Sequence, residues 1–337
     1  MNRSPFKIGE SIVEPGTRQT VDLPIARLYT HTAMNMPVHV IHGKKEGSTL
    51  FISAAIHGDE INGVEIVRRL LKLKLIDKVR GTLIAIPIVN VYGFINRSRY
   101  LPDRRDLNRC FPGSHKGSLA SHLAKIFMQE VVSKCSHGID LHTGSNHRTN
   151  LPQIRVTLDS PEIESLAQTF GAPVILDSRL RDNSLRATVT DMGIPMLLYE
   201  GGEGLRFNEP AIRVGLKGIL AVMRKIGMLT PKTKKSPTRE AVVVKSTTWI
   251  RAPKSGIIRS AAKTGLSVTR GERIGYVVDP FGGQEEEIKS TVDGIIIGSL
   301  NLPLVHQGDA LFHIASISDQ ATLNELSETI VDDDLII

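Results

Sequence analysis

Two short stretches of this 337-residue chain place metal-ligating side chains at the ends of apolar runs. The first is His57-Gly58-Asp59-Glu60, directly after TLFISAAI (49–56). An imidazole nitrogen and a carboxylate oxygen presented this way can share one divalent cation at about 2.0–2.2 Å. The pair is not decisive alone. A His-x-x-Glu spacing arises by chance, and acids such as Asp59 and Glu60 are independently favoured at a helix N-terminus. GIDLHTG (138–144) adds a second histidine, His142, again where an apolar strand ends. Two histidines and one glutamate make a three-ligand set. Catalytic zinc sites keep three protein ligands and leave the fourth position to water, whereas closed structural sites usually draw on cysteine. Only Cys110 and Cys135 occur, and they form no CxxC pair. Asp140 lies two residues before His142, on the same side of the strand. It is either an acceptor behind the ligand or a buried structural acid.

Two further motifs carry groups that would act on a substrate. PMLLYEGGEG (195–204) ends an apolar run at Glu200, where a carboxylate can serve as general base on a metal-activated water. Glu203, three residues on in the glycine-rich loop, competes for the role. Glu200 is favoured because a strand end fixes a side chain better than a loop does. RSRYLPDRRDLNRCFPG (97–113) is dense in arginine, and the Phe and Pro of its second half argue for a folded loop. Guanidinium forks bind carboxylates bidentately, and one beside a metal can stabilise a tetrahedral oxyanion.

These groups need a scaffold that brings strand ends together. TLFISAAI, TLIAIPIV (82–89), GIDL, QIRVTLD, PVILD and IPMLLY read as strands, several of them apolar throughout, as expected of strands buried on both faces. Between them run helical patterns. In DEINGVEIVRRLLKL (59–73), Ile61, Val64, Val67 and Leu71 recur at spacings of three and four, which puts Glu60 in the first turn. Residues 118–135 and 208–226 are two further helices. SPEIESLAQTF is another, with Ser160 as N-cap and Pro161 at the first helical position. From about Pro37 to Gly227 this alternation predicts an α/β fold, a mixed sheet with helices on both faces. Active sites of open α/β sheets form at the carboxyl ends of strands. Residues 1–228 would be the catalytic part. LTPKTKKSPTRE (229–240) reads as a solvated linker. Residues 241–317 read as a small β-sandwich, with a weak repeat relating 252–278 to 290–315. The acidic tail, 318–337, is expected to be partly disordered, its last residues packing somewhere.

Composition narrows the function classes. A hydrophobic content of 41% supports a sizeable core. No run is long enough to span a membrane, and the first residues lack the apolar stretch of a signal peptide, so a cytoplasmic location is expected. The formal charge is +7, but the basic residues are scattered and aromatics make up only 4%. That argues against a nucleic-acid surface; an anionic small substrate, or no functional meaning of the charge at all, fits better. A homo-oligomer is compatible with the sequence.

With these motifs assembled, the chain resembles the succinylglutamate desuccinylase/aspartoacylase family of the zinc carboxypeptidase-like superfamily, from about residue 40 to 225. The resemblance implies one zinc ion per chain, held by His57, Glu60 and His142. It implies Glu200 as general base and Arg99 as the group polarising the scissile carbonyl. Asn108 and Arg109 would grip the substrate carboxylate, and Arg186 would be a further substrate-binding arginine. The expected activity is amide hydrolysis of a small N-acylated amino-acid-like substrate that carries a carboxylate. A peptide-trimming metallocarboxypeptidase and a non-catalytic protein retaining the fold are the rivals. The C-terminal repeat resembles the biotinyl/lipoyl hammerhead, with the glycines of DPFGGQEEEI (279–288) where such carriers display a lysine. No biotin or lipoate attachment is expected, and the module would cover the catalytic entrance or an oligomer interface.

Overall fold

The computed structural model describes residues 3–231, 240–283 and 285–336. Most of the expected linker, 232–239, and the last residue of the tail lie outside these. Among the described residues, thirteen strands form one mixed sheet. Its centre is parallel: Thr82–Ile86, Thr49–Ala54, His137–Gly144 and Met196–Glu203 lie side by side in that order. Their burial is almost complete along the chain, which explains the unbroken apolar runs. Parallel neighbours aligned this way put the ends of the Thr49, His137 and Met196 strands at one edge of the sheet. Those ends lead into, or carry, His57, His142 and Glu200.

Helices cover both faces. Asn62–Lys72, Pro161–Phe170 and Glu209–Lys225 share one apolar cluster with Ile52, Ile139 and Tyr199. Leu119–Glu130 and Leu185–Asp191 lie on the other face, with Phe51, Ile84 and Met196. Caps follow the sequence signals. Ser160 accepts from the Ile163 amide ahead of Pro161, and Asn208 accepts from Ala211. No helix among the described residues is long and apolar enough to cross a membrane.

Four features differ from the sequence reading. The sheet begins earlier than Pro37. Thr17–Arg27 and Ala33–His42 form an antiparallel pair that extends it, with Val21, Leu23, Ile25, Met34, Met36, Val38 and Val40 alternating inward. The first helix starts at Asn62, three residues later than expected, so Glu60 sits in the loop before it. Its fully buried face is Ile66, Val67 and Leu70, while Ile61, Val64 and Leu71 are only half-buried. Among the described residues, the acidic tail forms a helix. Asp319 caps Gln320–Asp332, whose Leu323, Leu326 and Ile330 pack with Leu151, Val174 and Ile297. The apolar residues at i, i+3 and i+7 outweigh the acidic composition.

The C-terminal strands divide between two sheets. Glu285–Lys289, Arg273–Val278, Gly256–Ser260 and Leu304–Val305 form a separate antiparallel sheet. The others join the main sheet. Gly294–Leu300 pairs antiparallel with Arg148–Val156, then come Ala310–Ser316 and Thr247–Arg251. Ile258, Ile274 and Val277 of the first group share a core with Ile296, Phe312 and Ile314 of the second. The repeat is visible in the backbone. Gly256 and Gly294, equivalent in its two halves, have φ of +159° and +158°. A Cβ at either would run into a neighbouring carbonyl oxygen, that of Val278 or of Ala315.

Candidate active site

The polypeptide after the Thr49 strand turns sharply. Ala55 takes a φ of +50°, and the amides of Val89 and Asn90 lock its neighbourhood by bonding to the Ala54 and Ala55 carbonyls. The loop that follows packs so closely on the turn at Gly93 that a side chain on Gly58 would overlap the Gly93 backbone. This explains the glycine between His57 and the acids. The first helix has no side-chain cap, and neither Asp59 nor Glu60 caps it. Glu60 points instead into the protein.

Its carboxylate lies between the two histidines. His57 Nδ1 is 2.7 Å from Oε1 and His142 Nδ1 is 2.8 Å from Oε2. The Thr143 amide donates to Oε2 at 3.0 Å, and Arg99 Nη1 donates to Oε1 at 3.0 Å. All three expected ligands are buried, and their ligand atoms lie within 4.8 Å of one another. The far nitrogen of each imidazole meets a carboxylate. His142 Nε2 is 2.6 Å from Asp140, which also accepts from Ser53 Oγ at 2.7 Å. His57 Nε2 is 3.0 Å from Asp106. Ligand histidines in metal sites are commonly oriented by such acceptors. A buried nest of two nitrogens and a carboxylate, backed by two acids, therefore fits one divalent cation, and its donors suit zinc.

The electrostatics are strongly coupled. Burial opposes charge on Glu60, but His57 and His142 outweigh it and hold the carboxyl well below its ordinary range. Burial likewise opposes protonation of His142, yet Asp140 and Glu60 raise its pKa well above the usual histidine value. His57 is raised in the same sense, against burial, by Glu60 and Asp106.

Asp106 went unrecognised in the sequence. Beyond His57 it accepts from Arg99 Nη2 at 2.9 Å and caps the Leu107–Arg109 turn through the Asn108 amide at 2.9 Å. Its position as the first residue of DLNR, ahead of a short turn, was the available signal. Arg99 is thus anchored by Glu60 and Asp106 beside the nest. Asn108 is buried, and its Oδ1 accepts from the Leu185 amide at 2.9 Å. Arg109 donates to the Asn108 carbonyl. Arg186 is buried too, bonded to Ser178 Oγ and to the Ser178 and Arg179 carbonyls. Burial and the nearby Arg155 lower its pKa to about 10.

All of these expected site residues border one cavity of about 500 Å³, together with Glu200. Glu200 is in direct register with His142 on the adjacent strand. Its Oε2 accepts from Asn150 Nδ2 at 2.5 Å, and Arg155 Nε lies 3.3 Å from Oε1 without hydrogen-bond alignment. Glu203 does not border the cavity and pairs with Arg206 at 3.5 Å. Thr247, Trp249 and His313, all from C-terminal strands, form part of the wall. Those residues, with Arg148, Asn150 and Arg155, were missed as site residues. A polar run, RTNLPQIR, inside a strand buried almost throughout was the legible sign.

The chain belongs to the succinylglutamate desuccinylase/aspartoacylase family: the profile of that family's catalytic domain matches residues 46–226. Among individual relatives, the chain is 25% identical over 297 residues to the N-alpha-acetyl-L-2,4-diaminobutyric acid deacetylase of Halomonas elongata, covering 85% of this chain and 86% of that one. Solved structures share the fold. The product-bound ectoine utilization protein EutE (DoeB) of Ruegeria pomeroyi superposes with a TM-score of 0.80 at 22% identity, over 89% of this chain and 95% of its own. The succinylglutamate desuccinylase/aspartoacylase of Rhodobacter sphaeroides gives 0.78 at 24% identity, over 88% and 95%.

Proposed function

We propose that this protein is a zinc-dependent deacylase that hydrolyses the amide bond of a small N-acyl amino acid. The observation that carries the reading is convergence: His57, Glu60 and His142 gather in one nest, and Glu200 lies in register with His142 on the wall of the same cavity. Family membership and the deacetylase relative support it. A zinc ion held by those three side chains supplies Lewis acidity, polarising the amide carbonyl and making water more acidic. Glu200 then takes the proton of the attacking water and passes it to the leaving amine nitrogen. Asn150 fixes the carboxylate for both steps. Arg99, held by Glu60 and Asp106, presents positive charge where the carbonyl oxygen becomes an oxyanion. Arg109 and Arg186, with the Asn108 turn, hold the substrate carboxylate and so position the amide.

The cavity size favours a small substrate over a peptide, since small-molecule sites typically occupy about 300–1,000 Å³. We read 1–228 as the catalytic unit and 241–317 as a barrel-sandwich of lipoyl-like type whose strands close this cavity. The test is zinc-loaded enzyme with N-acetyl, N-succinyl and N-formyl amino acids, following released amine. Glu200→Gln should bind one zinc per chain and lose turnover by roughly 10²–10⁴-fold. Near-normal turnover in that variant overturns the base assignment, and a wild type inert to every N-acyl amino acid overturns the deacylase reading.

A further inference from the structure

Gln153 is 0% exposed, yet neither its amide nitrogen nor its amide oxygen has a hydrogen-bond partner among the described residues. A buried amide left unsatisfied at both ends is costly, and folded proteins keep few of them. The strand that carries it, Arg148–Val156, supplies the cavity wall with Arg148, Asn150 and Arg155. Gln153 itself does not border the cavity, and no step of the proposed hydrolysis uses it.

Register fixes what it faces. Gln153 pairs directly with Glu200 on the antiparallel strand Met196–Glu203, and Arg155, two residues on, pairs with Leu198. The ladder is regular over these pairs and shifts only beyond Glu200. Residues directly opposed in an antiparallel pair share a face, with Cβ atoms about 4.5–5.5 Å apart. Leu198, Glu200 and Arg155 all border the cavity, so Gln153 stands on the same side of the sheet, beneath it. On its other flank it pairs with Val174, which is fully buried in an apolar cluster with Leu151 and Leu176. Of its two partners in register, Glu200 alone offers a side-chain acceptor. Glu200 in turn is held at one oxygen. Asn150 Nδ2 donates to Oε2, whereas Arg155 Nε, also buried and unpartnered, lies 3.3 Å from Oε1 out of alignment.

We propose that Gln153 is a positioning residue for Glu200: as Glu200 engages the attacking water, its Oε1 turns about the Asn150 bond onto the Gln153 amide N–H. The inference rests on reading Glu200 as the base. A carboxylate offers about four lone-pair sites, so an oxygen that accepts from the amide keeps one free to take a proton from water and hand it to the leaving nitrogen. Held at both oxygens, the carboxylate presents that free site in one direction. The unsatisfied amide is retained at a cost in stability because its partner is met during turnover.

Gln153→Met keeps the length of the side chain and removes both amide atoms. In zinc-loaded full-length protein, with the N-acyl amino acid that the wild type hydrolyses fastest, its kcat should fall roughly tenfold at little-changed KM. Its Tm should equal or exceed that of the wild type, because the unsatisfied atoms have left the core. A kcat loss joined to undiminished stability separates positioning from a merely structural role. Made on Glu200→Gln, the same substitution should leave the residual rate within about twofold, since Gln153 acts only through that carboxylate. A kcat within about twofold of the wild type, a loss carried by KM, or a roughly tenfold loss repeated on Glu200→Gln overturns the proposal. If Gln153→Met does not fold, Gln153→Glu, which replaces the donor by an acceptor at equal length, is held to the same kcat criterion. The two readings fail separately. Near-normal turnover in Glu200→Gln refutes the base assignment, whereas a crippled Glu200→Gln alongside a fully active Gln153→Met refutes only the role of Gln153.

Discussion

Asp140 offers a stringent test of the proposed metal nest, because it does not border the cavity and its carboxylate is bonded to His142 and Ser53. Its side chain is fully buried, 2.6 Å from His142 Nε2 and 2.7 Å from the Ser53 hydroxyl. A hydrogen bond to a charged group contributes about 1.5–3 kcal/mol net, against about 0.5–1.5 kcal/mol for a neutral pair. Asp140→Asn keeps the volume and one acceptor oxygen for His142, and its amide can donate to Ser53 instead of accepting from it. The difference between a charged and a neutral acceptor is then about 1–1.5 kcal/mol, or roughly a tenfold loss of zinc affinity. Asp140→Ala removes the acceptor altogether and leaves both His142 and Ser53 unpaired. Its loss should approach 100-fold, the upper end for residues behind metal ligands. Zinc affinity is read by competition with a chromophoric chelator. Thermal melts with saturating zinc establish that each variant is folded. If Asp140→Ala binds zinc within threefold of wild type, or Asp140→Asn binds more weakly than Asp140→Ala, the His142–Asp140 contact does not serve a metal ligand.

The other expectations follow from neighbouring geometry. Asp106→Asn disturbs His57, Arg99 and the Leu107–Arg109 turn together; turnover should fall by more than the 10–100-fold expected for zinc affinity alone, and equal losses in both would remove Arg99 from the chemistry. Gly298→Ala should displace Asn150 and with it Glu200, lowering kcat roughly 10- to 100-fold at unchanged zinc stoichiometry; an unaltered kcat would show that Asn150 does not set the position of Glu200. Arg68, followed by Arg69, holds the carboxyl of Glu65 down to about 2. A depressed acid stabilises the fold fully above its ordinary value near 4.5 and loses that contribution as pH falls toward 2. The Tm gap between wild type and Glu65→Gln should therefore be widest near neutrality and narrow below pH 4.5, and a gap independent of pH would refute the pairing.

The parallel core was legible because burial on both faces leaves an unmistakable trace: apolar runs such as TLFISAAI admit few other readings. The two N-terminal strands carried an equally regular signal in the alternation of Val21, Leu23 and Ile25, but residues such as Asp22, Pro24, Asn35 and His39 interrupt the apolar positions, and the stretch does not resemble the central runs. The gathering of His57, Glu60 and His142 was legible from their positions at strand ends. Asp106 was not, since nothing local distinguishes a turn-capping aspartate from one that also holds a histidine 49 residues away. The start of the first helix moved for a related reason. Glu60 is drawn inward by two imidazoles and a guanidinium, and that tertiary pull overrides the preference for acids in a first turn.

The C-terminal contribution shows most clearly how a site can be hidden from sequence. Trp249 and His313 lie 64 positions apart in a region whose pattern says only that short strands alternate with turns. What joins them is register: Trp249 pairs with His313 across two antiparallel strands, and His313 pairs with Gly298, which pairs in turn with Asn150. One continuous row of paired residues thus runs from the C-terminal strands to the residue that holds Glu200. A one-residue slip anywhere along it would turn the imidazole or the indole to the opposite face. The same strands that line the cavity therefore also set the position of Asn150, and any change that loosens Gly294–Leu300 from Arg148–Val156 should act on the proposed base and on the Trp249 and His313 wall together.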